Sequence, residues 1–279
     1  FHLHFYAGLR RVMQDFQPHI VHIDEEPYNL AAWQAMWWAR RVNARTLFFS
    51  WQNIARQYPP PFSWGERWLL RHVDHALMGT ESAAEIWQQK GYTGPLTVIP
   101  QFGTDTDLFK PTAERAERPF TVGYIGRLVE EKGVQVLLEA AAKLPDNLCV
   151  RILGGGPQRD ELEAQAARLG IGDRVTFDAQ IPSTDIPPYY HKLDALVLPS
   201  LTRPNWKEQF GRVLVEAMAS GVPVVGSDSG AIPGVVGDGG LIVPEGDSEA
   251  LANAMHTLMD DPQQRAELGQ RGRQRVIDH

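Results

Sequence analysis

Over the last two thirds of the chain, short runs of β-branched and other apolar residues alternate with longer stretches whose apolar positions recur at i, i+3 and i+4. The first pattern suits a strand buried on both faces and the second a helix buried on one, so the alternation predicts secondary structure directly. Strands are expected over 120–125, 148–153, 175–177, 195–198, 223–226 and 241–243, with helices over 134–144, 158–169, 186–193, 211–220 and from 248 onward. The first part follows the same rule less regularly, with strands over 20–23, 46–50, 75–78 and 96–99 and helices over 30–41, 65–72 and 82–90. Strands joined by single helices form right-handed βαβ units, hence parallel sheets whose ligands sit beyond the carboxyl ends of the strands. No internal repeat or low-complexity segment interrupts the pattern.

Composition divides this chain in two. Its 279 residues are 43% hydrophobic, enough for the cores of about two domains at roughly 150 residues each. The 27 basic and 34 acidic residues fall as 10 and 10 up to Pro111 and 17 and 24 after it, so the net charge of -7 lies wholly in the second part. Tryptophan is distributed the other way: seven of eight (33, 37, 38, 51, 64, 68 and 87) precede residue 90, and only Trp206 follows. The polar, proline-framed stretch 110–119 reads as a linker, which places an incomplete first domain at 1–111 and a second domain at 112–279. The first resembles the back half of a doubly wound domain without its opening strands. Because the chain starts at Phe1 and stops at His279 inside a charged helical pattern, it reads as a fragment of a longer protein.

The acidic balance, with a pI near 5.7, argues against a polyanion-binding surface, so nucleic acid is not an expected partner. The single cysteine, Cys149, excludes an intramolecular disulfide framework and a cysteine-rich metal site, and in an apolar run it reads as a core residue of a reducing compartment. No window approaches 18 consecutive apolar residues, so no helix of this chain is expected to span a bilayer.

Three segments at strand ends carry chemistry. In the first, Gly126 lets the backbone approach a ligand, Arg127 ends a strand and Lys132 opens a helix. Two cations beside a positive helix start form a pincer for a diphosphate, although the same residues also make an ordinary turn with solvated charges. In the second, Gly154, Gly155 and Gly156 precede Pro157, which can start a helix. A tight turn is expected there, since no Gly-Lys-Ser/Thr follows as in a P-loop. In the third, Glu208 precedes a helix and Glu216 lies eight residues on, within an apolar stretch. Free amides at Phe210, Gly211 and Arg212 can face an anion, while Glu216 can accept from two vicinal hydroxyls.

Gly126-Arg127-Leu128 with Lys132-Gly133, the triple glycine, the Glu208/Glu216 pair and the tail from Gly226 through Gly230 to Pro233 resemble, in order and spacing, the family 4 retaining glycosyltransferases of the GT-B fold. The resemblance covers nearly the whole chain and is strongest over 120–254. It implies an α/β fold of two Rossmann-like, doubly wound parallel-sheet domains facing an interdomain cleft. It also implies a nucleotide-diphosphate-sugar donor held by the second domain: Arg127 and Lys132 on the diphosphate beside Gly126, Glu216 on the ribose and Glu208 on the hexose. Amides near Phe210 and Gly211 would assist the phosphate, and the backbone around Gln180 and Ile181 would frame the base. A hexose would pass to a hydroxyl acceptor, a glycan or a lipid-linked saccharide, with retained anomeric configuration. No metal or cofactor is expected, because two cations and a helix start can neutralise the leaving group.

In the first domain, members of this family often carry His-x-His, the second histidine reaching the donor sugar. Here His22 fills the first position and Asp24 the second, so either residue is a candidate for that catalytic role. The alternative is that His22 is a half-buried strand residue and Asp24-Glu25-Glu26 merely ends the strand. Asp105-Thr106-Asp107 copies the metal-binding Asp-x-Asp of the other major glycosyltransferase fold, yet it stands in the segment leading to the linker and is not expected to hold a metal. The aromatic stretch 58–71 is a candidate for peripheral membrane contact, with core packing as its alternative, and the expected location is cytoplasmic or at the inner face of the membrane. Two other readings remain: a sugar-nucleotide epimerase or hydrolase of the same architecture, and a non-catalytic nucleotide-binding remnant.

Overall fold

A computed structural model describes residues 2–100, 102–112 and 118–279. It divides into two units, Phe1–Gln101 and Phe102–His279, each with its own buried apolar cluster. The first unit runs α1 (Leu9–Phe16), β1 (Ile20–Ile23), α2 (Leu30–Arg41), β2 (Arg45–Ser50), α3 (Phe62–His72), β3 (His75–Met78), α4 (Glu81–Gln89) and β4 (Leu96–Val98). Its strands are all parallel, in the order β1-β2-β3-β4. Every crossover steps to the next strand in the same direction, so right-handed connections place α2, α3 and α4 on one face. Phe48, Met78, Leu69 and Trp87 are fully buried there, with the Phe48 and Trp87 rings edge to face at 5.6 Å. The helix α1, which hydrophobic spacing does not predict, buries only Met13 and leaves Val12 and Phe16 exposed.

The second unit continues with β5 (Phe120–Ile125), α5 (Val134–Ala141), β6 (Leu148–Leu153), α6 (Arg159–Arg168), β7 (Val175–Asp178), α7 (Ile186–Tyr190), β8 (Ala195–Leu198), α8 (Arg212–Ala219), β9 (Val224–Ser227), α9 (Ile232–Val236), β10 (Gly240–Val243), α10 (Ser248–Asp260) and α11 (Pro262–Asp278). Six parallel strands lie in the order β7-β6-β5-β8-β9-β10. From β5 the chain adds strands on one side, then crosses over to add the rest on the other. This reversal opens a crevice at the carboxyl ends of β5 and β8, where doubly wound sheets bind ligands. Helices cover the sheet in two layers: α5 packs against α6 and α10, and α8 packs against α9 and α11.

The boundary between units falls at 101/102, not at 111/112 as the composition suggested, because 102–112 is tied to the second unit. The Lys110 carbonyl lies 2.9 Å from the His191 ring, and the Arg273 guanidinium donates to the Phe109 carbonyl at 3.1 Å. The expected linker residues 113–117 lie outside the described residues. At 118 the chain is anchored again: Arg118 forks onto the buried Asp194 carboxylate at 2.5 and 3.2 Å, and the same carboxylate accepts from the Thr121 amide. Cys149 is half-buried instead of lying in the core; it shares its face of β6 with Arg151, whereas Val150 and Ile152 occupy the buried face.

The acidic triplet after β1 does more than end the strand. Glu25 accepts from Asn29 at 2.9 Å and Tyr6 at 3.1 Å, and the Ser50 hydroxyl at the end of β2 lies 2.8 and 2.9 Å from the two Glu26 oxygens. Burial raises the Glu26 carboxyl from 4.5 to about 7, against the hydrogen bonds from Ser50 and the Trp51 backbone. A carboxyl whose folded-state value is raised stabilises the fold fully below its unfolded value, and that contribution is lost as the pH climbs through the folded value. The first unit should therefore lose on the order of 3 kcal/mol between about pH 4.5 and 7 from this group. Urea denaturation across that range checks it: Glu26→Gln should flatten the slope, and an unchanged slope would assign the pH dependence elsewhere.

Candidate functional site

The crevice begins where β5 ends. Fully buried Tyr124 donates its hydroxyl to the Arg127 carbonyl at 2.8 Å, fixing the turn from beneath. The triple glycine packs against this turn: at Gly154, where φ is +148°, a Cβ would lie 1.9 Å from the Gly126 carbonyl oxygen, and at Gly156 one would lie 2.2 Å from that of Leu128. The Leu128 amide donates to Gly155, and the Leu128 carbonyl accepts from Gln158, at 2.9 and 3.1 Å. Glycine is required at these two positions because two backbones touch, which is a structural role. Pro157 lies in the turn ahead of α6, which starts at Arg159 and not at the proline. Arg127 itself is exposed and, among the described residues, makes no ion pair.

Lys132 does not open α5. It closes a short 3-10 turn, Glu130–Lys132, from which its ammonium reaches Glu208 Oε2 at 2.6 Å. The hydroxyl of Ser200, just beyond β8, donates to the same oxygen at 2.8 Å. Both charges are largely shielded, with side-chain exposures of 16% for Lys132 and 8% for Glu208. The tail motif explains how Glu208 is held. Ala231 donates its amide to the Glu208 carbonyl at 3.0 Å, and at Gly230, where φ is +57°, a Cβ would lie 2.1 Å from that oxygen. Ser227 in turn donates to the Ser200 carbonyl at 2.6 Å.

The second carboxylate stands on α8. Gly211 is left-handed and precedes the helix, which begins at Arg212. Leu214 donates to the Gly211 carbonyl at 2.8 Å, so the amides of Arg212 and Val213 open the helix, while Phe210 is half-buried ahead of it. One oxygen of the buried Glu216 accepts from the Tyr190 hydroxyl at 2.8 Å and the other from Arg212 at 3.1 Å. Burial, followed by the charge of Glu216, pushes the Tyr190 phenol well above its ordinary value, so it stays a neutral donor. Gln180 is exposed and Ile181 half-buried, in the loop after β7 at the same end of the sheet, two strands or roughly 10 Å from β5.

The structure thus gathers Gly126, Arg127, Lys132, Glu208, Gly211 and Glu216 at one end of one sheet. His22 and Asp24 belong to the first unit, where both are exposed at and after β1, so His22 is not the half-buried strand residue of the alternative reading. Asp105 accepts from the amides of Asp107 and Leu108 at 2.9 and 3.1 Å and so shapes a turn. Among the described residues no cluster of three His, Cys, Asp or Glu could hold a metal ion, and no helix is long and apolar enough to cross a membrane. In the aromatic stretch Trp64 is 61% exposed, whereas Trp68 packs against the core. Sequence reasoning missed Ser200, Tyr190 and Trp206. Only the position of Ser200 directly after a buried strand at the reversal of strand order could have drawn attention to it.

Residues 105–275 match the family model of glycosyl transferases group 1, and residues 1–101 match that of a glycosyl transferase 4-like domain. The chain belongs to the glycosyl transferases group 1 family. It is 34% identical over 195 residues to a GDP-mannose-dependent alpha-(1-6)-phosphatidylinositol monomannoside mannosyltransferase of Mycolicibacterium smegmatis, covering 63% of this chain and 50% of the relative. It is 31% identical over 261 residues to a lipopolysaccharide core biosynthesis glycosyltransferase of Rhizobium meliloti, covering 91% and 72%. Among solved structures, sucrose-phosphate synthase from Thermosynechococcus elongatus superposes with a TM-score of 0.73 at 27% identity, covering 96% of this chain and 71% of the other. The chain spans about half the length of several of the curated relatives it matches. Together the matches establish the GT-B architecture expected from the sequence.

Removing one partner of a shielded ion pair leaves an uncompensated charge, at a cost of about 3 kcal/mol, whereas replacing both is close to neutral. Lys132→Met and Glu208→Gln should each destabilise the second unit by about that amount, with the double variant recovering most of the loss. Chemical denaturation of the three variants measures this; additive losses would mean that the pair contributes no coupling.

Proposed function

We propose that the second unit is the donor site of a retaining hexosyltransferase that moves a sugar from a nucleoside diphosphate to a hydroxyl of a glycan or lipid-linked saccharide. The observation that carries this reading is the Lys132–Glu208 contact at the carboxyl ends of β5 and β8, with exposed Arg127 and the start of α8 beside it. The ammonium of Lys132 has three donors, so it can keep Glu208 while turning another N–H to a phosphate oxygen. Arg127 adds a fork suited to the diphosphate, and the amides of Arg212 and Val213 add positive partial charge. Glu216, steadied by Tyr190 and Arg212, accepts from the ribose hydroxyls, Glu208 from a hexose hydroxyl, and the backbone near Gln180 and Ile181 meets the base.

When the bond between the anomeric carbon and the leaving oxygen breaks, negative charge grows on the diphosphate, where these preorganised donors stabilise it most. The held diphosphate then receives the proton of the acceptor hydroxyl as that oxygen bonds to the anomeric carbon from the face just vacated. Configuration is thereby retained. Since Arg127, Lys132 and the helix start supply the positive charge, this proposal includes no resident metal or cofactor. The Mycolicibacterium relative is named for GDP-mannose and a phosphatidylinositol mannoside, and the Rhizobium relative for lipopolysaccharide core, which supports a nucleotide-sugar donor and a saccharide acceptor.

Calorimetric titration of the full chain with UDP, GDP and ADP tests the donor site. One nucleotide should bind, and Arg127→Ala, an exposed change, should weaken it by about tenfold, as expected for losing one charge-assisted contact. No binding of any of the three, or undiminished affinity in the variant, would overturn the assignment. Release of nucleoside diphosphate that depends on an acceptor separates transfer from epimerisation or hydrolysis.

A further inference from the structure

The second unit has a single tryptophan, and it stands beside the ion pair: the Lys132 ammonium lies 5.1 Å from the centre of the Trp206 ring and 2.6 Å from Glu208. The segment that presents this ring is tied down at several points. Arg203 and Trp206 exchange backbone hydrogen bonds of 2.8 and 3.1 Å, closing a tight turn over Pro204 and Asn205. Leu201 donates its amide to the Glu131 carbonyl at 2.8 Å, and Arg203 pairs with Glu130 at 2.5 Å, so the turn is clamped to the same short segment that ends in Lys132. Thr202 meets Ser229 at 3.0 Å on the other side. A surface connection held this way fixes the ring relative to the ammonium.

A lysine has a flexible four-carbon stem and a strongly hydrated head, so a single carboxylate contact restrains its direction poorly. An indole face attracts a cation electrostatically and sheds water from it, which restricts the ammonium from a second direction. We infer that Trp206 is a positioning residue of the donor site, its ring holding the Lys132 ammonium against Glu208 so that the remaining N–H donors aim at the anionic part of the ligand. This rests on the donor-site reading above and adds a residue that neither the motif order nor the pair itself identifies. Trp206 acts through Lys132 and is not assigned a contact with the nucleotide.

A cation held by an aromatic face contributes roughly 2- to 30-fold to an equilibrium it controls. The test is a double-mutant cycle on the full chain, reading calorimetric affinity for whichever of UDP, GDP and ADP the native chain binds. Trp206→Leu, which keeps apolar bulk but has no ring face, should weaken binding about tenfold, and Trp206→Phe should stay within about threefold of native. In the Lys132→Met background Trp206→Leu should change affinity by less than twofold. Equal effects of leucine and phenylalanine, or the same loss with Lys132 absent, would overturn the positioning role, as would a native-like Trp206→Leu. If the native chain binds none of the three nucleotides, the donor-site reading itself has failed and the positioning role falls with it. That result is distinct from nucleotide binding that ignores Trp206.

Discussion

An ammonium and a carboxylate 2.6 Å apart, both mostly removed from water, are the constraint around which the second unit is arranged. Shielding two charges is costly unless each keeps its partner and further hydrogen bonds, and the surrounding sequence supplies these. Ser200 gives the carboxylate a second donor, Ser227 holds the Ser200 carbonyl, and Gly230 lets the tail segment close onto the Glu208 backbone. The Ser200 segment and the tail motif, separate along the chain, are therefore supports for one contact between segments 76 residues apart.

The charges near the crevice are unevenly committed, and the contrast matters for function. Lys132 with Glu208 and Arg212 with Glu216 are neutral pairs in the structure, while Arg127 makes no ion pair among the described residues. At the proposed donor site a multiply charged anion would meet the Arg127 guanidinium, a helix start and a lysine with N–H donors to share. Glu216 is prepared in the same manner. Neutral Tyr190 and cationic Arg212 each engage one oxygen, so the orientation of the carboxylate is fixed.

Much of the fold was legible because apolar runs mark strands: 120–125 and 195–198, buried on both faces, and 20–23 and 148–153, whose burial alternates, agree with the structure to the residue. The helix α1 was not legible, since one buried methionine sets no periodicity, and neither was α9, five residues with a proline in its first turn. Helix starts were misplaced at Lys132 and Gly211 because caps depend on local dihedral angles that hydrophobic spacing does not record. Arg127, Lys132, Glu208 and Glu216 were readable as an ordered set. Their pairings were not, because Tyr190 looks like any core tyrosine and Trp206 like any loop aromatic until the sheet order brings them to the same crevice. The function of His22 and Asp24 was equally illegible; both are exposed in the first unit, and among the described residues no contact distinguishes one from the other.

The most direct measurement is a crystal structure of the chain with the nucleoside diphosphate it binds. Phosphate oxygens should lie within hydrogen-bond distance of Arg127, Lys132 and the amides at the start of α8, with the ribose hydroxyls on Glu216 and the Lys132–Glu208 contact kept. A diphosphate bound away from the carboxyl ends of β5 and β8, or a Lys132 that leaves Glu208 to reach it, would contradict the account.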